Sequence, residues 1–149
     1  MLFRSGFWHV CEVSSKPFVA SHSSIYSLQP HPRNLRDEQI RELVNRGGFL
    51  CLNAFGAFLS NNPSVDSMLE HVSYAINLAG KNNVGFGFYF MKDLIDQVDP
   101  VLGKTLVDVS KWPFVPNLDR PADFAIFGDR KSTRLNSSHT DISRMPSSA

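Results

Sequence analysis

Hydrophobic positions along the chain follow two spacings, one typical of buried strands and one typical of amphipathic helices. Short, continuously apolar stretches bounded by turn residues predict parallel strands that are buried on both faces. Between them, apolar residues recur every three or four positions, which is the period of one helical face. The pattern predicts strands at residues 17–21, 49–53 and 84–88, and helices that end at Val13, run from an Asn34 cap to Gly47-Gly48, and run from a Ser64 cap to Gly80.

The regular alternation of strands and helices predicts an α/β fold with a parallel sheet. Each connection between strands is long enough to hold a right-handed crossover helix. A barrel and an open doubly wound sheet share this periodicity, but neither G-x-G-x-x-G nor a Walker loop follows a strand. We therefore favour a partial (β/α)₈ TIM-like barrel of about three parallel strands with crossover helices, since a complete barrel takes about 250 residues. Residues 91–128, where prolines interrupt the pattern, are expected to be mostly loop.

Composition and charge exclude some classes of function. Fifteen basic and fourteen acidic residues give a formal charge of +1, and no basic cluster predicts nucleic-acid binding. The longest apolar runs fall far short of the roughly twenty residues of a membrane span. The amino end has no apolar stretch of signal-peptide length, so a cytoplasmic location is favoured and the compartment is left open. Cys11 and Cys51 are expected to be buried thiols rather than a disulfide or a ligand pair.

Both ends of the chain resemble translated sequencing-adapter DNA. Residues 129–149 read DRKSTRLNSSHTDISRMPSSA, lose the hydrophobic periodicity and resemble the translation of a library adapter; residues 2–5 resemble that of the opposite adapter arm. As polypeptide, the carboxyl-terminal segment would be a disordered tail. We therefore expect residues 1–5 and 129–149 to carry no function, and residues 6–128 to be a fragment of a barrel domain.

Candidate chemistry is expected at the carboxyl ends of the strands, where barrels hold their reactive groups. This position singles out His22, with Asn53 and Tyr89 at the ends of the other strands. An imidazole at such a position can bind a metal, act as a base or bond to backbone. His31 is expected in a solvated loop, and the helical His71, like His9, at the surface. The sequence contains no H-E-x-x-H, Cys-x-x-Cys or G-x-S-x-G motif.

Two neighbouring segments resemble the renal (membrane) dipeptidase family. Residues 16–24 read KPFVASHSS and residues 31–40 read HPRNLRDEQI, which is similar to the family's strand, S-H-S, R-N and D-E-Q-I-type helix. The resemblance covers about residues 6–90. It implies a (β/α)₈ barrel with two zinc ions that hydrolyses dipeptides, in which His22 binds zinc and Arg33 binds the substrate carboxylate. A guanidinium suits that role, because its planar pair of donors has no equivalent in lysine.

Two departures from the family's pattern limit what the resemblance implies. Tyr89 stands in the substrate pocket where the family's G-[GS]-D-F-D pattern has an aspartate. The family's H-x-D pair, bridging glutamate and other zinc histidine lie upstream of this region. We therefore assign no catalytic residue and expect the chain alone to be inactive, with the complete protein a zinc-dependent dipeptidase. A non-catalytic peptide-binding relative and another metal-dependent amidohydrolase barrel are the alternatives, and the oligomeric state is left open.

Overall fold

The computed structural model describes residues 2–88, 115–116, 118–120 and 123, with the side chains of residues 2–5 left out. Helices and strands alternate along the chain as the hydrophobic pattern predicts. The elements are α1 (Leu2–Val13), β1 (Val19–Ser23), α2 (Asp37–Asn45), β2 (Phe49–Leu52), α3 (Val65–Ala79) and β3 (Val84–Phe86), with short 3-10 helices at Gly56–Phe58 and Lys81–Asn83. Residues 129–149 lie outside the described part.

The described strands form a parallel sheet in the order β1-β2-β3. Val19 pairs with Phe49, and Leu50 pairs with Val84. Helices α2 and α3 make the two crossovers, as parallel neighbours require. The prediction of three parallel strands joined by crossover helices is confirmed, and the arrangement is that of a partial (β/α)₈ barrel.

Strand β1 lies two residues later in the chain than the prediction of residues 17–21. Pro17 has no backbone N–H, so it cannot donate to a ladder. At the other end the pairing continues, because the Asn53 N–H donates to the Ser23 carbonyl oxygen at 3.2 Å. His22 therefore lies within the strand rather than after it.

Helix α2 begins later than the predicted cap at Asn34, with Arg36 as its N-cap. The Arg36 N–H donates to Oε1 of Gln39 at 3.0 Å, which satisfies one backbone donor at the helix start. The side chain of Asn34 is engaged in the preceding loop and is not available to cap the helix. The helix ends as predicted near Gly47, whose φ of 73° suits a residue without a β-carbon.

Helix α3 has the ends that the sequence predicts. Ser64 Oγ accepts from the Ser67 N–H at 3.1 Å, and Ser67 Oγ accepts from the Ser64 N–H at 2.9 Å. This reciprocal pair satisfies two donors at the helix start. Gly80, with φ of 80°, ends the helix.

The core lies between the sheet and the two crossover helices. Leu50 and Leu52 of β2 are fully buried, and they pack in one cluster with side chains from α2 and α3, among them Ile40, Leu43, Met68, Val72 and Ala75. Burying a side chain of this size contributes about 1.5–3 kcal/mol. Cys11 is a buried free thiol, as predicted, whereas the free thiol Cys51 is only half-buried. In the described part of the chain, helices are too short or too polar to cross a bilayer.

Candidate functional site

The carboxyl ends of the parallel strands bring three segments to one edge of the sheet. His22 and Ser23 close β1, Asn53 follows β2, and Gly87 follows β3. Asn53 is fully buried; its Oδ1 accepts from the Phe55 N–H at 2.6 Å, and its Nδ2 has no hydrogen-bond partner. The predicted edge therefore forms as far as the structure describes it, and Tyr89 lies outside the described residues.

His22 is half-buried on β1, one of the two outer strands of the described sheet. Its Nδ1 lies 2.7 Å from Oγ of Ser21. Burial lowers the pKa of His22 below its ordinary value, and the positive charge of Arg33 lowers it further. At neutral pH the imidazole is therefore uncharged, which is the form that binds metals and accepts protons.

Arg33 lies in a loop that is closed on itself by backbone pairing. Ile25 and Leu35 form an isolated parallel bridge, in which the Tyr26 N–H donates to the Leu35 carbonyl oxygen at 2.9 Å. The Leu35 N–H in turn donates to the Ser24 carbonyl oxygen at 3.0 Å. The loop that carries Arg33 thus begins and ends beside the carboxyl end of β1.

Asn34 fixes this loop from the inside. Its Oδ1 accepts from the Ser24 N–H at 3.2 Å, and its Nδ2 donates to the carbonyl oxygens of Gln29, at 2.9 Å, and Phe58, at 2.7 Å. The side chain is only 5% exposed. The buried amide of Asn34 therefore joins the loop after β1 to the loop after β2. These hydrogen bonds also fix the backbone next to Arg33.

An aromatic surface lies beneath the Arg33 guanidinium. Its central carbon lies 5.7 Å from the ring centroid of Phe58, and the His31 ring lies 4.5 Å from the same centroid. His31 is half-buried rather than solvated, and burial together with the charge of Arg33 lowers its pKa. The Phe58 ring and a neutral His31 therefore lie beside the Arg33 guanidinium and help to orient it.

His22 and Arg33 line the same cavity, of about 790 Å³, which runs along β1 from Phe18 to Ser23. Its apolar lining includes Phe7 and Val10 from α1 and Val19 from β1. Its polar lining includes both site residues. The cavity lining therefore combines apolar side chains with an imidazole and a guanidinium.

His71, expected at the surface, is instead buried and serves the fold. It is 1% exposed; its Nδ1 accepts from the Ile25 N–H at 3.0 Å, and its Nε2 donates to the Leu59 carbonyl oxygen at 3.0 Å. Burial lowers the pKa of His71, and the bond to Leu59 opposes that shift. The helical spacing already contained this signal, since residue 71 lies one turn from both Met68 and Ala75 on the apolar face.

Two neighbours of the site escaped the sequence reasoning. Phe58 lies beneath the Arg33 guanidinium and Arg36 lines the cavity, and neither was singled out because both positions depend on how the loops fold. An aromatic-rich segment just after a predicted strand was the available signal for Phe58.

The described residues do not form a complete metal site. None of their His, Cys, Asp and Glu side chains cluster in groups of three or more that could hold an ion. A catalytic zinc normally uses three protein ligands. His22, as one candidate donor, fits such a site only in part.

Comparisons with a family profile, with curated proteins and with solved structures agree on one family. The profile described as membrane dipeptidase (Peptidase family M19) matches residues 2–116. An uncharacterized dipeptidase of Schizosaccharomyces pombe is 36% identical over 106 residues, which cover 68% of this chain and 24% of that protein. The crystal structure of dipeptidase AC, a family M19 metallopeptidase, gives a TM-score of 0.53 at 31% identity and covers 56% of this chain and 26% of that chain.

A metallopeptidase from Rhodobacter sphaeroides, liganded with a phosphinate mimic of the dipeptide L-Ala-D-Ala, is similar in fold. Its TM-score is 0.67 at 21% identity, over 87% of this chain and 33% of that one. The chain spans about a quarter to a third of the length of the relatives it matches. Dipeptidase AC is a metallopeptidase of family M19, so the family depends on metal. The resemblance found in the sequence is confirmed, and the chain belongs to the membrane dipeptidase family, peptidase family M19.

Proposed function

We propose that the chain is part of a zinc-dependent dipeptidase, and that the cavity beside β1 binds the carboxylate end of a dipeptide. One observation carries this proposal: His22 and Arg33 line the same cavity, near enough for the charge of Arg33 to lower the pKa of His22. The cavity runs along β1 and reaches the carboxyl end of that strand at His22 and Ser23, and barrel enzymes bind substrate at the carboxyl ends of their strands.

Arg33 is proposed to bind the carboxylate of the substrate. Its guanidinium can donate two parallel hydrogen bonds to a carboxylate, and such charge-assisted pairs are stronger than neutral ones. The Phe58 ring lies against it, and Asn34 fixes the loop next to it. Little side-chain freedom is therefore lost when a ligand binds, which favours affinity.

His22 is proposed to be one ligand of a two-zinc centre in the complete protein. Zinc ions in such centres act as Lewis acids and lower the pKa of a bound water. This chain contributes a neutral imidazole on a rigid strand, with Nδ1 next to Ser21 Oγ. A hydrogen bond to one ring nitrogen orients the ring for its other nitrogen to bind a metal.

Tyr89 supports a second candidate function. Its phenol stands where the family has a carboxylate, and a phenol with an ordinary pKa near 10 is not ionised at neutral pH. A relative that keeps Arg33 but lacks that carboxylate would bind dipeptides without hydrolysing them. Tyr89 is proposed to contact the substrate in either case. Another metal-dependent amidohydrolase barrel remains the third alternative.

The role of Arg33 is tested in the full-length protein that contains this chain. We expect Arg33→Gln to raise KM for a dipeptide about 10- to 100-fold, the loss expected for a hydrogen-bonded charge pair. Arg33→Lys is expected to recover only part of this, because lysine lacks the paired donors. Arg41→Gln, an exposed position on α2, is the matched control with the same charge change.

A substrate without the carboxylate separates binding of that group from general damage. A dipeptide amide is expected to show the same KM with the parent protein and with Arg33→Gln. An unchanged KM for the ordinary dipeptide in Arg33→Gln would contradict the proposal. Tight dipeptide binding without hydrolysis, in protein loaded with zinc, would favour the non-catalytic alternative.

A further inference from the structure

His31 closes the turn that carries Arg33 with both its main chain and its side chain. Its carbonyl oxygen accepts from the Asn34 N–H at 3.0 Å, and its Nδ1 accepts from the Arg33 N–H at 3.2 Å. Pro32, which stands between them, has no N–H and favours the second position of such a turn. The imidazole therefore does what an Asn or Asp side chain does when it accepts from the backbone two residues further on.

The His31 ring lies behind the cavity rather than in it. Its centroid lies 4.5 Å from that of Phe58, the same ring that lies beneath the Arg33 guanidinium. Pro30, Pro32 and Arg33 line the cavity, but His31 does not. A ligand in the cavity therefore contacts the residues on either side of His31, and an effect of the imidazole on binding passes through Arg33.

Only the neutral imidazole of His31 can accept from the Arg33 N–H. Because Nδ1 is the acceptor, the single proton of the neutral ring lies on Nε2. A second proton would set two donors against each other at Nδ1 and would place a positive charge near that of Arg33. Of the other described residues that contact His31, none titrates: they are Gln29, Asn34 and Phe58. Protonation of His31 therefore opposes the observed position of Arg33.

We propose that His31 is a positioning residue for Arg33, and that protonation of His31 releases the arginine and weakens binding of the substrate carboxylate. This inference rests on the proposed function of Arg33. Burial and the charge of Arg33 lower the pKa of His31 from 6.5, so the weakening occurs on the acid side of that value. An α-carboxyl group, with a pKa of about 3.5, stays ionised there, so the change belongs to the protein and not to the ligand.

The KM of the full-length protein for a dipeptide, compared between the parent and two variants, tests this role. His31→Asn keeps a side-chain oxygen that can accept from the Arg33 N–H but removes the titration. His31→Ala removes both. We expect His31→Ala to raise KM about three- to tenfold at neutral pH, as the loss of one hydrogen bond predicts, with kcat little changed. His31→Asn is expected to match the parent at neutral pH.

The pH profile distinguishes positioning by His31 from a purely structural role. As the pH falls from about 7.5 to about 5, which spans the usual titration of histidine, we expect KM to rise more in the parent than in His31→Asn. Titration of His22 is common to both proteins, so their ratio isolates His31. His9→Asn, at a side chain that is 73% exposed, is the control and should follow the parent. Equal pH profiles for the parent and His31→Asn, or a His31→Ala variant with the parent KM, overturn the proposal.

NMR on the 149-residue chain separates failure of this inference from failure of the proposed function. The backbone amide signal of Arg33 and the ring signals of His31 are followed through the same pH range. We expect the Arg33 amide to shift with the midpoint of the His31 titration, and this shift to be absent in His31→Asn. An Arg33 amide that does not follow His31 would refute the coupling. Circular dichroism verifies that each variant is folded.

The two readouts together decide between the possibilities. If the full-length protein, loaded with zinc, hydrolyses no dipeptide but the Arg33 amide follows the His31 titration, the dipeptidase proposal fails and the coupling of His31 to Arg33 stands. If dipeptides are hydrolysed and KM depends on pH equally in the parent and His31→Asn, the dipeptidase proposal stands and the role of His31 is refuted.

Discussion

Replacing His71 with phenylalanine is expected to destabilise the fold by about 2–6 kcal/mol, since each unsatisfied buried polar group costs about 1–3 kcal/mol. The substitution keeps a ring of similar size but removes both hydrogen bonds of the imidazole. The Ile25 N–H and the Leu59 carbonyl then lose their partner. Because the side chain is only 1% exposed, water has little access to replace those bonds.

The same geometry predicts how stability depends on pH. Ile25 donates to Nδ1, so a protonated ring would place two donors against each other. Burial accordingly lowers the pKa of His71 from 6.5 in the folded state. As the pH falls, His71 is protonated in the unfolded chain before it is protonated in the folded chain. The contribution of His71 to stability is therefore complete above about pH 6.5 and is lost as the pH falls below it. The pKa values of His22 and His31 are lowered too, so only the difference between parent and His71→Phe isolates His71.

Urea denaturation of the 149-residue chain, followed by far-ultraviolet circular dichroism at about pH 7.5 and about pH 5.5, measures both effects. His9→Phe is the matched control: the His9 side chain is 73% exposed, and a change within about 0.5 kcal/mol is expected. The gap between parent and His71→Phe should shrink at the lower pH. Equal stability losses for the two variants, or a gap that does not depend on pH, would refute the reasoning.

Three further predictions concern the loops and the metal. Gly87→Ala is expected to lower the free energy of unfolding by about 1–3 kcal/mol, measured by urea denaturation, because the added β-carbon would overlap the Ser21 carbonyl. Gly6→Ala is the control, since its added β-carbon meets no neighbour within 4 Å. Asn34→Ala is expected to expose the neighbouring loop and to speed trypsin cleavage after Arg33, as seen by mass spectrometry; cleavage at the parent rate would contradict the anchoring role. The 149-residue chain alone is expected to hold no stoichiometric zinc and to hydrolyse no dipeptide, and clear zinc-dependent turnover would contradict this.

The elements that follow from local sequence were predicted well. Strand β2 and helix α3 have strong apolar periodicity, and Ser64 and Gly80 satisfy the backbone at the ends of α3. The predicted start of α2 was wrong because the side-chain amide of Asn34 binds backbone that is distant in the sequence. Sequence spacing does not reveal that its partner is Phe58, 24 residues away. The prediction that His71 lies at the surface was also wrong, because the polarity of its side chain was given more weight than its position on the apolar face of α3.

The candidate site was predictable only in part. His22 followed from its position at a strand end, and Arg33 followed from the family resemblance. The stack of Arg36 on Tyr26 was not predictable, because it depends on the path of the loop between the two residues. Loops of this kind are set by contacts between elements, and no periodic pattern encodes them.

The anchor at Asn34 has a consequence for how the site moves. Arg33 and Phe58 belong to loops that follow different strands, yet the same buried amide binds the Phe58 carbonyl oxygen and lies next to Arg33 in the chain. When a ligand displaces the Arg33 guanidinium, the displacement is therefore transmitted to the second loop through the side chain of Asn34. The two loops should shift as a single rigid body, and an insertion in either would displace the binding surface of both.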